Sequence, residues 1–269
     1  MTVEKQWLFD RKWTQDFTRV RQEFMGQLVR NVRKEHELRS ALDLGCGVGY
    51  FSKYLSDLGF DVLAIDGRPE NAAEGKRRYP VINFLSYDIE DPRIIEIGSR
   101  DFVACIGLLY HLENPFRAIR NICSLTGKVL LIETMYAPGQ DAIMDLLDEG
   151  VAEDQALNYV AFYPSESCFI KMLYRAGFPF VYRFCLLPDD DLFRASFLRK
   201  QQRTFLAASK VALALPNLSL AKESFRWAGT DADPWATSVS RAHNLLLRLR
   251  TLAAKALKPV LRAVGAKSR

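Results

Sequence analysis

The chain has 269 residues, 49% hydrophobic and 26% charged, with 37 Lys+Arg against 32 Asp+Glu and a formal net charge of +5. These values exclude a disordered chain, a collagen-like repeat and a small disulfide scaffold, and the length suits one large domain or slightly more. A chain this long buries enough surface to need no metal or disulfide staple.

The five cysteines form no CxxC pair, which fits a reducing compartment. The opening MTVEKQWLFDRKW has no apolar h-region, so no signal peptide is expected. No run of about 18 apolar residues is present to span a bilayer. The expected location is cytoplasmic, with a peripheral membrane position left open by the C-terminal charge. Arg241 to Arg269 holds eight basic residues and no acidic one, so the other 240 residues sum to −3. The body therefore gives no global sign of nucleic-acid binding.

In chain order, residues 14–36 read as a helix, with Phe17, Val20, Phe24, Leu28 and Val32 at helical spacing. SALDLG (40–45) is an apolar strand entering a Gly-rich turn, and Tyr50–Leu58 is a helix closed by Gly59. DVLAID (61–66), VINFLS (81–86), DFVACIG (101–107) and GKVLLIE (127–133) are further strands. Helices lie between them at Glu70–Arg78 and near Pro115–Ser124. Strands apolar on both faces predict a parallel sheet covered by helices on both sides. The acidic stretch 137–160 reads as an irregular insert over the sheet edge on the acceptor side. Ser165–Ala176 is a helix stopped by Gly177, and Phe180–Leu186 and Thr204–Val211 are a final pair of strands.

The chemistry begins at Asp43-Leu44-Gly45-Cys46-Gly47-Val48-Gly49, where a strand meets a helix. Glycines there let the backbone approach a ligand, and the helix N-terminus favours a negative group. The spacing is GxGxG, not the GxGxxG of dinucleotide folds. Asp66 ends the second strand, where a carboxylate can accept from two ribose hydroxyls. The alternative is a tight structural turn with Asp66 in solvent.

LDLGCGVGYFSKYLSDLG resembles the first motif of the class I S-adenosylmethionine (SAM) dependent methyltransferases. VLAIDGRPE, LSYDIED, DFVACIGLLYHLENP and GKVLLIE resemble the four segments that follow it in that family, and YPSESCFIKMLYRAGF resembles its helix before the last two strands. The resemblance covers about 40–185. It implies a doubly wound, mostly parallel seven-stranded α/β sheet, preceded by an N-terminal helix and followed by a basic helical tail. The implied organisation is a helical cap (1–36), a SAM-binding domain (37–212) and a C-terminal extension (213–269).

The resemblance also implies roles. Gly45, Cys46, Gly47 and Gly49 would line the methionine part of SAM, and Asp43 would orient the loop and reach the amino group directly or through water. Asp66 would hold the ribose, Gly67 and Arg68 would flank the adenine, and Asp88 with Ile89 would meet the adenine amino group. Ile106 and Gly107 would sit under the sulfonium. The Asn-Pro-Pro-Tyr signature of amino-nitrogen methylation is absent after strand four. LLYHLENP (108–115) is closest to enzymes that modify tRNA wobble uridine and to related small-molecule O-methyltransferases.

Tyr110 and His111 stand at the mouth of the expected pocket. Histidine can take a proton near neutral pH, so His111 is a candidate base for an acceptor hydroxyl; the alternative is a packing role at the helix near Asn114. His36 and His243 read as surface residues, and no metal-ligand spacing occurs. Trp7 and Trp13 could form a lid or pack the first helix, and Tyr163 and Lys171 flank the acceptor side, with Lys171 read as solvated.

The expected function is O-methylation of a small polar metabolite or sugar. The alternatives are a tRNA wobble-uridine enzyme and a catalytically silent SAM-binding module. Arg241, Arg248, Lys255, Arg262 and Arg269 recur every seven residues. On a helix they form a basic stripe suited to an anionic membrane or RNA, or to solvent if the helix packs on its own domain.

Overall fold

The computed structural model describes residues 7–139, 141–148, 157, 159–194 and 202–223. The basic stripe and His243 lie outside the described residues.

Helix α1 (Lys12–Val32) leads into strand β1 (Ser40–Leu44), helix α2 (Tyr50–Asp57), strand β2 (Asp61–Asp66), helix α3 (Pro69–Arg78) and strand β3 (Asn83–Ser86). Strand β4 (Arg100–Ile106), helix α4 (Pro115–Leu125) and strand β5 (Thr126–Tyr136) follow. Next come strands β6 (Met144–Asp148) and β7 (Val160–Pro164), then helix α5 (Glu166–Ala176). Strands β8 (Phe180–Phe184), β9 (Gln202–Ser209) and β10 (Leu218–Leu220) complete the described chain.

The main sheet runs β3-β2-β1-β4-β5-β9-β8-β10. Strands β1 to β5 pair in parallel, while β9 is antiparallel to both β5 and β8. The expected doubly wound α/β sheet is present, with eight strands rather than seven. The eighth, β10, adds three residues to the β8 edge. So short a strand carries no readable alternation.

The sheet is apolar on both faces because it is covered on both. On one face Ala41, Ala64, Phe102, Ala104, Leu131 and Phe205 pack with Phe17, Phe24 and Leu28 of α1 and Leu55 of α2. On the other, Leu42, Ile65, Val103, Leu130 and Leu206 meet Ile119 and Ile122 of α4 and Phe169 and Leu173 of α5. Helix α5 starts where expected, with the Ser165 hydroxyl accepting from the Cys168 N–H at 3.2 Å, and ends at Gly177.

The acidic insert departs from its expected form. Part of it is a β6–β7 hairpin, with Met144 opposite Pro164 and Asp148 opposite Val160. All five β6 residues are exposed, so backbone pairing alone fixes the strand and no periodicity betrays it. The hairpin's β7 strand packs beside residues 109–111, above the carboxyl ends of the sheet strands.

Strand order reverses between β1 and β4, which opens a crevice beyond their carboxyl ends. Because β9 is antiparallel, its first residues reach the same end, with Arg203 opposite Met135. Among the described residues no helix is long and apolar enough to cross a membrane.

Candidate functional site

A cavity of about 410 Å³ fills this crevice, a size typical of small-molecule sites. Its floor is the turn between β1 and α2. The Gly45 and Cys46 N–H groups donate to the Ile65 carbonyl at 2.8 and 3.0 Å, and the Gly49 N–H donates to the Cys46 carbonyl at 2.9 Å. Gly47 has φ of +53°, and a Cβ there would meet the Phe9 ring at 2.8 Å. A side chain at that position is thus excluded both by conformation and by space. Gly45 and Cys46 line the cavity, whereas Gly47 and Gly49 lie behind its wall.

Asp66, at the end of β2, is buried and braces the turn. Its Oδ2 accepts from the Gly47 N–H at 2.8 Å, and its Oδ1 accepts from the Arg68 N–H at 2.9 Å and the Asn71 side chain at 3.1 Å. Burial raises its pKa, against the lowering effect of those donors. A carboxylate has about four acceptor positions. Three are taken and one remains open, in a residue that lines the cavity. Gly67, Arg68, Asp88 and Ile89 line the same end, and a Cβ on Gly67 would meet Leu157 at 2.9 Å. Asp88 is exposed and accepts from the Glu90 N–H at 2.8 Å.

Asp43 sits elsewhere. It is fully buried, outside the cavity wall, and its Oδ2 accepts from the Ser52 hydroxyl at 2.6 Å. Burial pushes its carboxyl up to about 7 from an ordinary value of 3.8. The folded state therefore holds a proton that the unfolded chain releases near pH 4. This contribution to stability is complete below that pH and is lost as pH rises to about 7. Three pKa units correspond to about 4 kcal/mol. Asp43→Asn is expected to flatten the decline in denaturation midpoint between pH 4 and 7; an unaltered slope would exclude Asp43 as its source.

At the far end, Ile106, Gly107, Tyr110, His111 and Tyr163 line the cavity. The Tyr110 and Tyr163 rings stack at 5.8 Å, and the His111 ring lies 4.1 Å from that of Tyr110. Lys171 lines no part of the cavity. Leu8, Phe9, Arg11 and Trp13 form an outer wall, which is fastened down. Asp10 receives the Tyr50 hydroxyl at 2.7 Å and the two Arg78 Nη groups at 2.7 and 2.8 Å.

Residues 42–128 match the family described as "Methyltransferase domain". Those residues form a methyltransferase domain of the SAM-dependent kind. The methyltransferase is similar to Nodulation protein S of Bradyrhizobium diazoefficiens, 23% identical over 65% of this chain and 91% of that one. It is also similar to the ubiquinone biosynthesis O-methyltransferase of Xanthomonas campestris pv. campestris, 32% identical over 35% of this chain; it spans 42% of that relative's length. The N-terminal domain of EvdMO1, crystallised in the presence of SAH and D-fucose, shares the fold, with a TM-score of 0.58, 19% identity and coverage of 74% of this chain and 84% of that one.

The cavity fits SAM on its own chemistry. It offers a backbone-lined floor, a braced carboxylate with one open acceptor position, and the apolar side chains of Ile89 and Leu157 in its lining.

The methyltransferase also contains a group that sequence reasoning missed. Arg21 of α1 and Arg203 of β9 converge on Glu133 of β5. Arg21 Nη1 lies 3.1 Å from Glu133 Oε2, and Arg203 Nη1 lies 2.7 Å from Glu133 Oε1. Arg203 Nη2 donates to the Tyr110 hydroxyl at 3.1 Å. Glu133 is wholly buried, which raises its pKa, yet the two arginines hold it below the usual carboxylate range. The available signal was position: Arg21 falls four residues after Phe17 and three before Phe24, on the apolar face of α1.

Proposed function

We propose that this methyltransferase acts on an oxygen of a small-molecule acceptor, a polar metabolite or sugar. The observation that carries this reading is the walled cavity, with Tyr110, His111 and Tyr163 beside Gly107. Its volume suits a small molecule, and one relative is named as an O-methyltransferase.

Gly45, Cys46, Ile106 and Gly107 would border the reacting part of SAM, and Asp66, Gly67, Arg68, Asp88 and Ile89 its nucleoside. When bound, SAM supplies a methyl group on a positively charged sulfur, open to attack by an acceptor oxygen. The chain's own task is placement and exclusion of water. Phe9 and Leu157 cover the cavity, Tyr110 and Tyr163 offer ring faces, and His111 takes the acceptor hydroxyl proton.

His111→Ala is expected to lower turnover by about 10²-fold, the low end for general base catalysis, while SAH affinity stays the same. A folded variant with normal turnover would remove the base role. The reading as a whole is tested by methyl transfer from labelled SAM to a fractionated cell extract. Label in a small molecule with a new methyl ether or ester supports it. Label in tRNA, or none in any fraction, overturns it.

A further inference from the structure

The acceptor end of the cavity carries more positive charge than its own carboxylate balances. Two guanidiniums share the single Glu133 carboxylate, and all three groups are largely withdrawn from water, with side-chain exposures of 11% for Arg21, 16% for Arg203 and 0% for Glu133. Desolvating a charge is expensive unless it is paired. One arginine against one glutamate would be neutral; a second arginine leaves one positive charge over.

The donors are also unspent. A guanidinium has five N–H groups. Arg21 directs Nη1 to Glu133 and Nη2 to Thr18 at 3.4 Å, while its buried Nε has no partner. Arg203 commits Nη1 to Glu133 and Nη2 to Tyr110. The Tyr110 hydroxyl, accepting from Arg203, keeps its own proton to donate. Beneath both cations lies the Phe17 ring, 4.1 Å from Arg21 Cζ and 5.2 Å from Arg203 Cζ. Arg21 Cζ also lies 5.2 Å from the Phe51 ring, and both arginines line the cavity.

The location is next to the expected chemistry. Arg21 Nη1 lies 3.4 Å from where a Cβ on Gly107 would be. Asp66 and Asp88 line the opposite end and receive N–H donors of their own.

We propose that the acceptor is an anion, bearing a carboxylate or a phosphate that Arg21, Arg203 and Tyr110 bind while the neighbouring oxygen is methylated. This rests on the methyl-transfer reading above and adds its substrate class. Forked arginine donors match the oxygen pairs of either group. Binding the anion supplies the missing negative charge, so it also relieves the mutual repulsion of the two guanidiniums.

The test is calorimetric titration of the SAH-loaded full chain with benzoate, phenyl phosphate and inorganic phosphate, and with neutral benzamide as control. At least one anion is expected to bind at least tenfold more tightly than benzamide. Preference among the probes separates carboxylate from phosphate. Arg203→Met is expected to weaken the bound anion by about 30-fold or more, as loss of a buried charge partner does. Arg203→Lys keeps the charge without the fork and should lie between the two; it also serves if the Met variant does not fold.

A second pair of probes separates acceptor from cofactor. SAH has a carboxylate, and 5′-methylthioadenosine does not. If Arg203→Met weakens SAH but spares 5′-methylthioadenosine, the arginines serve the cofactor and the proposal falls. It falls equally if no anion binds better than benzamide to SAH-loaded wild type. If wild type binds no SAH at all, the methyltransferase reading itself fails, a distinct result read before any anion is added.

Discussion

Glu133→Ala is expected to destabilise the fold by about 3–5 kcal/mol, the usual cost of breaking a buried charge cluster by removing one partner. The carboxylate is completely buried and holds both Arg21 and Arg203, so its loss leaves two guanidiniums facing each other with no counter-charge. Burial and repulsion by Arg203 already hold the Arg21 pKa below its ordinary value, despite the attraction of Glu133. Denaturant midpoints measure the effect. A triple replacement, Arg21→Met with Glu133→Leu and Arg203→Met, is expected to recover most of the loss, since an apolar cluster of similar volume needs no partners. A cost below about 1 kcal/mol for the single variant would mean that the arginines are solvated and independent of Glu133.

Asp66→Ala is expected to reduce SAH affinity by about 10- to 150-fold while the fold survives. A hydrogen bond to a charged group is worth roughly 1.5–3 kcal/mol. Alanine removes the acceptor for the Gly47 and Arg68 N–H groups as well as the open position for a ligand hydroxyl. The turn thus loses its brace together with its ligand contact. Asp66→Asn keeps one carbonyl oxygen and is expected to be milder. Calorimetric titration with SAH, alongside a melting curve, measures both. Unchanged affinity in a folded Asp66→Ala protein would take this carboxylate out of the site.

The central sheet was legible because its strands are buried on both sides. Runs such as Ala41–Leu44 and Phe102–Ile106 are buried at every position, and such runs need no partner to be recognised. The turn at Gly45–Gly49 was equally plain, since glycine marks close backbone approach. The arginine cluster was not. Arg21 and Arg203 are 182 positions apart in the chain, and only the antiparallel insertion of β9 beside β5 brings them onto one carboxylate. A charged residue type reads as solvated unless its partner is known. The resemblance gave Asp43 a role in orienting the loop as well as a reach toward the ligand; its Oδ2 accepts from Ser52 of α2, and the residue does not itself line the cavity.

The clasp of Asp10 with Arg78 and Tyr50 has a practical consequence for handling the protein. Among the described residues the outer wall of the cavity begins at Leu8 and Phe9, ahead of the helix that joins the core. Trimming through Asp10 would remove both residues from that wall while leaving every buried residue of α1 in place. Such a shortened protein would lose the clasp to Arg78 and Tyr50 and leak bulk water into its reaction chamber while keeping the α1 core. Comparisons of activity between differently trimmed preparations therefore need the same first residue.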